Sequence, residues 1–344
     1  MGTRTRAVTL AVLGLGAWGL GLAALAAQAP LAPPAFHHLH LNSVNPEAAI
    51  EFYIKAFPST SRGTFAGQPA LRSPNNVWLL FNKVAAPPAT EPQTAFWHFG
   101  WHVTDVRATL DRFLKQNITL VPLYTGTGEG TGTAFVSSDT YPGSGGVLGL
   151  TRAQIAEAKV RGVKPAGGAG FAYLRGPDDA LVEYQGNMPA ERFNHVHLYQ
   201  EQPYCAQLWY QTHLNVAAPA PRAGQAARTA ANCAVERGSD RTLPALDWNG
   251  MFRSPAVQST IFGDVSLFFY MNQGNTPFGS TRGQLMDHFA VSVTDLDAWI
   301  TKLKAEGVTF LEDVYVLSAP SAAGLRAVMI EGPSREAIEI IEVK

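Results

Sequence analysis

Hydrophobic and polar positions alternate with a period of two in several short stretches, and the stretches that stand out carry histidine. Trp97–Val106, WHFGWHVTDV, is rich in aromatic and β-branched residues and closes on a polar Thr-Asp turn, the pattern of a strand. The pattern returns at His288–Leu296, HFAVSVTDL, which matches it at His98/His288, Phe99/Phe289, Val103/Val293, Thr104/Thr294 and Asp105/Asp295. Two other signatures recur as well. FHHLHL (Phe36–Leu41) is answered by FNHVHL (Phe193–Leu198), and GPDDALVEY (Gly176–Tyr184) by GPSREAIEI (Gly332–Ile340). Each half of the chain therefore holds a His strand, a second His strand and a terminal strand with one Glu, in that order.

Period-3.6 segments fall between these strands. PEAAIEFYIKAF (46–57) opens after Asn45 with proline in its first turn, and Val106–Gln116, Pro203–His213 and Leu296–Ala305 read as the equivalent helices. Asp105 and Asp295 precede two of them and read as turn residues rather than catalytic acids. Further strands are expected at Asn76–Val84, Ile118–Leu123 and Val265–Met271, with hairpins around Gly176 and over Ala327–Glu342. The coarse reading is four modules, each strand–helix–strand–strand–strand. Two long loops interrupt them, Ala217–Gly238 and the glycine-rich Gly126–Gly146. The second is followed by a helix near Thr151, with Thr151 and Gln154 as a capping box, and its size reads as a lid or binding loop.

Composition narrows the class. At 344 residues the chain fits two domains, expected at 36–187 and 192–344. With 46% hydrophobic and 15% charged residues, a formal charge of −1 and no Lys/Arg run, it reads as globular, with a small molecule rather than nucleic acid as its partner. Residues 1–29 read as a secretory signal peptide: Arg4 and Arg6, an uncharged run Ala7–Ala27, then small residues suited to cleavage. The run is also long enough for an uncleaved membrane anchor. Its glycines and alanine-rich end favour cleavage, which gives an exported protein without stable membrane insertion. In an oxidising compartment Cys205 and Cys233 either form a disulfide or stay as two small unpaired hydrophobes.

Eight of the nine histidines, all but His213, lie in or beside the repeated signatures. Two imidazoles and one carboxylate on rigid strands can cap one face of a divalent ion and leave positions open for substrate. The strand period places His38 and His40 on one face, and likewise His195 and His197, so one of each pair can bind metal while its neighbour reaches substrate. His102, matched by Ser292 in the second half, either elaborates the first site or is simply exposed. Trp97, Trp101, Phe171 and Tyr173 either line an aromatic pocket or fill core.

This arrangement resembles the vicinal oxygen chelate superfamily, the glyoxalase/bleomycin-resistance/extradiol-dioxygenase group, over nearly the whole chain after residue 29. The resemblance implies an α+β fold of two tandem glyoxalase-like domains, each of two paired βαβββ modules forming a curved mixed-sheet cup. It places the metal ligands at His38, His98 and Glu183 in one half and at His195, His288 and Glu339 in the other, for Fe2+, Mn2+ or Zn2+. His40, His102, Tyr173 and His197 are then the candidates for catalytic roles. The pattern departs from glyoxalase I, whose fourth ligand is a carboxylate in a strand that here reads NVWLLFN or DVSLFFYMN. It departs from extradiol dioxygenases in lacking their further His before the Glu, although Tyr173 can stand for their Tyr. The expected function is an exported metal-dependent enzyme of dioxygenase or lyase type acting on a small oxygen-chelating substrate. The alternative is a non-catalytic small-molecule binder of the bleomycin-resistance type.

Overall fold

The computed structural model describes residues 31–125, 133–139, 152–165, 167–220, 227–235, 245–247, 250–252, 258–272, 277–317 and 324–343. The expected signal segment, the Thr151 cap and most of the Gly126–Gly146 loop lie outside them. Among the described residues no helix is long and apolar enough to cross a membrane.

Four modules follow one another. The first is β1 (Ala35–Ser43), α1 (Pro46–Ala56), β2 (Ser61–Phe65), β3 (Gln68–Arg72) and β4 (Trp78–Lys83). The second is β5 (Phe96–Val103), α2 (Val106–Lys115), β6 (Leu120–Val121), a short ribbon of β7 (Tyr124–Thr125) and β8 (Thr133–Ala134), α3 (Arg152–Val160), β9 (Phe171–Arg175) and β10 (Leu181–Gly186). The third is β11 (Arg192–Gln200), α4 (Pro203–Leu214), a ribbon of β12 (Ala245–Asp247) and β13 (Gly250–Phe252), β14 (Gln258–Phe262) and β15 (Val265–Met271). The fourth is β16 (Met286–Val293), α5 (Leu296–Ala305), β17 (Tyr315–Leu317), β18 (Leu325–Glu331) and β19 (Ala337–Glu342). Helix starts obey local chemistry. Asn45, Asp105 and Asp295 each cap a helix by accepting from the amide three residues on, at 3.2, 2.9 and 2.9 Å. The extended stretch expected over Ile118–Leu123 shrinks to the two-residue β6.

The strands form two mixed, curled sheets, an α+β cup architecture as expected. Their membership is not the expected one. The eight-stranded sheet runs β17-β18-β19-β16-β1-β4-β3-β2, and the seven-stranded sheet β14-β15-β11-β5-β10-β9-β6. Module one thus pairs with module four, and module two with module three, so the strands do not respect a 36–187/192–344 division. The seams are antiparallel, β1 against β16 and β11 against β5.

Both seams carry the same two irregularities. One β-bulge makes His37 the extra residue of β1 and another makes Asp287 the extra residue of β16. In the other sheet the extra residues are Asn194 in β11 and Trp97 in β5. A bulge breaks the strict alternation of faces and re-aims a side chain. Phe36 and Phe193 accordingly point away from the histidine face. They stack on each other at 5.6 Å between ring centroids, and Phe36 also stacks on Phe289 at 5.8 Å. Together with Leu39, Phe99, Trp101 and Val196 they build one core shared by all four modules. Cys205 of α4 is disulfide-bonded to Cys233 across 28 residues, fastening the segment after that helix to it.

Candidate metal centres

The histidine face of each sheet gathers ligand-type side chains drawn from both halves of the sequence. In the eight-stranded sheet His38, Ala290 and Glu339 stand side by side on β1, β16 and β19. Alternation then puts His40 and His288, which are directly paired, on the same face. In the seven-stranded sheet His195, Gly100 and Glu183 form the equivalent row on β11, β5 and β10, with His197 paired to His98. His38, His98 and Glu183 therefore do not converge, and neither do His195, His288 and Glu339. The clusters are His38–His288–Glu339 with His40, and His98–His195–Glu183 with His197. The expectation of one trio per half fails because the antiparallel seams join distant modules.

In the first cluster His38 Nε2 lies 3.0 Å, and His288 Nε2 3.9 Å, from Glu339 Oε2. His40 Nδ1 is 3.2 Å from His288 Nε2. In the second, His98 Nε2 is 3.0 Å from Glu183 Oε2, and His195 Nε2 is 3.8 Å from Glu183 Oε1. All of these residues except the half-buried His40 are buried. Gly100 is required by the close approach. A Cβ there would stand 2.4 Å from His195 Cε1 and 2.7 Å from the Glu183 carbonyl oxygen.

Electrostatics fix the protonation states. Burial lowers His38 and His98 below the ordinary imidazole value against the pull of Glu339 and Glu183, and takes His195 to about 3. Burial pushes Glu183 up, but His195 and His98 outweigh it and hold the carboxyl near 2. Glu339 is held below its ordinary value in the same way, chiefly by His38. His38 in the first cluster and His98 and His195 in the second are thus neutral imidazoles beside a carboxylate. The Nε2 atom of His195 is buried without a hydrogen-bond partner. Such an orphaned lone pair is costly in an interior but is what a divalent cation takes up, so the donor set fits a divalent metal.

A surrounding layer escapes the sequence reading. His37 Nδ1 lies 2.9 Å from His38 Nδ1, and the His195 Nδ1–H donates to Asn194 Oδ1 at 2.9 Å. The His288 Nδ1–H donates to Asp287 Oδ1 at 2.6 Å, and Arg282 holds Asp287 at 2.6 Å and Glu312 at 2.9 Å. Three of these four holders, His37, Asn194 and Asp287, are bulge residues, which simple alternation would turn to the opposite face. The Tyr315 hydroxyl donates to Glu339 Oε1, leaving Oε2 to the histidines. Buried Tyr173 does the same for Glu183 from the neighbouring strand, so it holds that carboxylate rather than facing the open site. His102 lies behind the second cluster, where its Nε2 accepts from Asn194 Nδ2 at 2.7 Å. Trp101 is core, stacked on Phe57 at 4.2 Å. Trp97 packs beside His98 and His197.

A cavity of about 310 Å³ opens over the first cluster, lined by all four of its members together with Asn42, Phe65, Leu80, Asn82, Arg282 and Tyr315. The walls of the two clusters differ at matching register positions. Asn42, Leu80, Asn82, Asp287 and Met329 in the first become Tyr199, Phe268, Tyr270, Trp97 and Tyr173 in the second.

Two curled sheets built from four βαβββ-type modules, each with a His/Glu cluster on one face, define the vicinal oxygen chelate fold, and the chain carries it in a four-module form. Glyoxalase I from Zea mays is similar to it, with a TM-score of 0.58 and 12% identity, covering 90% of this chain and 92% of that one. A putative dioxygenase from Bacillus subtilis matches with a TM-score of 0.50 and 12% identity, over 91% and 86%. No protein-family model matches the chain, and neither does any curated protein.

Proposed function

We propose that the chain is a divalent-metal-dependent enzyme that works at the His38–His288–Glu339 centre. Its substrate in this reading is a small molecule presenting two adjacent oxygens, and the reaction is of dioxygenase or lyase type. The observation that carries this is the cavity over that cluster, within the lower size range of small-molecule sites. A bound Fe2+, Mn2+ or Zn2+ would supply Lewis acidity or, for iron, oxygen chemistry. The protein's own part is to keep His38 and His40 neutral by burial, to leave one Glu339 oxygen for the ion while Tyr315 holds the other, and to present Asn42 and Asn82 as hydrogen-bonding walls. Fold likeness to glyoxalase I does not bring its reaction here. The strands where that enzyme's fourth ligand is expected hold Leu80 and Phe268 instead of an acid.

The same reading takes residues 1–29 as a cleaved export signal and neither nucleic acid nor membrane as a partner. A second reading, binding without turnover, draws support from the aromatic wall of the other centre. There Trp97 stacks on Tyr199 at 5.2 Å and Tyr270 meets His197 at 5.1 Å, a setting suited to a flat ring. Metal analysis of chain purified without chelator, followed by incubation with catechols and 2-oxo compounds with and without EDTA, separates the two. Bound metal with chelator-sensitive product formation is the expected result. Ligand binding that yields no product and ignores chelator selects the binder instead.

A further inference from the structure

We infer that His40 and His197 are themselves metal ligands, so that each centre is a three-His, one-Glu set. This rests on the metal reading of the same two sites and adds a donor to each.

His38 and Glu339 are separated by one intervening strand, roughly 10 Å between their Cα atoms, and meet only because the residue between them is Ala290. The seam between β1 and β16 relates module one to module four by a local two-fold. Under it the row His38–Ala290–Glu339 becomes His288–His40–Leu80. Two positions have exchanged character. The outer residue that would be an acid is apolar, and the middle residue that would have to be small is a histidine. An acid at position 80 would have to lean across His40, whereas His40 already stands at the centre. The other sheet repeats the exchange: His195–Gly100–Glu183 becomes His98–His197–Phe268. The same double substitution in two independent seams points to one donor moved inward by one strand.

Distances agree. Ligands about 2.1 Å from an ion stand roughly 3 Å apart when adjacent and roughly 4.2 Å apart when opposite. His38–Glu339 at 3.0 Å and His40–His288 at 3.2 Å are adjacent spacings, and His288–Glu339 at 3.9 Å lies between the two. Donor atoms of His98, Glu183, His195 and His197 all lie within 4.8 Å of one another. In the first centre the three histidines His38, His40 and His288 meet that spacing, and Glu339 joins them through His38 and His288 rather than through His40. Because Asp287 takes the His288 Nδ1–H, the His288 Nε2 lone pair faces His40 Nδ1. Four protein donors would leave two neighbouring positions on a six-coordinate ion, enough for two oxygens of one substrate.

The test uses the full chain loaded with Zn2+. X-ray absorption counts imidazoles per ion in the unmutated protein, and chelator competition gives affinities for wild type, His40→Ala and His197→Ala, with circular dichroism as the fold control. The expected outcome is three imidazoles per ion, with each variant weakening one ion by at least about tenfold while the other is held as before. Two imidazoles per ion, or variants that hold both ions as tightly as wild type, overturns this inference and leaves the metal reading standing. A wild-type chain that takes up no Zn2+ overturns both. The imidazole count does not depend on either variant folding.

Discussion

Gly100→Ala is the sharpest perturbation of the second centre. The added methyl would sit 2.4 Å from His195 Cε1, 2.5 Å from Nε2 and 2.7 Å from the Glu183 carbonyl oxygen, all well inside van der Waals contact. The imidazole can rotate away, but the carbonyl belongs to the paired strand β10 and cannot. Overpacking of this kind costs about 1–3 kcal/mol, a shift of a few degrees in melting temperature for a chain this long. The larger effect falls on the metal. A displaced His195 removes one ligand from the His98–His195–Glu183 set, so one of two ions should weaken by at least about tenfold. The first centre should be unchanged, since it already carries Ala290 at the matching position. Zn2+ titration monitored by calorimetry, with Ala290→Gly as the companion variant, reads both centres at once. A Gly100→Ala chain that keeps both ions at wild-type affinity would refute the claim that His195 reaches its site by lying across a bare backbone.

Two further outcomes follow from the same geometry. Asp287→Ala removes the acceptor that orients His288, and should weaken the first centre by about 10–100-fold while sparing the second, as measured by chelator competition. The metal-free chain should lose stability in acid: burial holds His37, His40 and His195 near 3, below the ordinary 6.5, and Glu183 sits near 2. The unfolded chain then takes up protons first. Stability present above pH 6.5 should fall as the pH drops towards 3, by up to about 1.4 kcal/mol per pH unit for each histidine kept neutral. Urea midpoints at pH 7, 6 and 5 check the sign, and a midpoint that rises on acidification contradicts it.

Much of the molecule was legible in the chain itself. Alternation around His98 and His288, the caps at Asn45, Asp105 and Asp295, and three signatures that each occur twice determined the modules, their helices and the six side chains His38, His98, Glu183, His195, His288 and Glu339. These are local properties: period, propensity and capping act within a dozen residues. Which of the six meet was decided only by the tertiary structure. A strand edge is satisfied by any partner of matching pattern, and β1 matches β16 across 250 residues as readily as it would match β5. The bulges were equally hidden, because an extra residue in a strand shows only against its partner's register. Yet they turn His37, Asp287 and Asn194 towards the histidines and put a carboxylate or amide behind the ligands. Sequence therefore set the donor types, and the pairing of distant strands set which of them gather in one cluster.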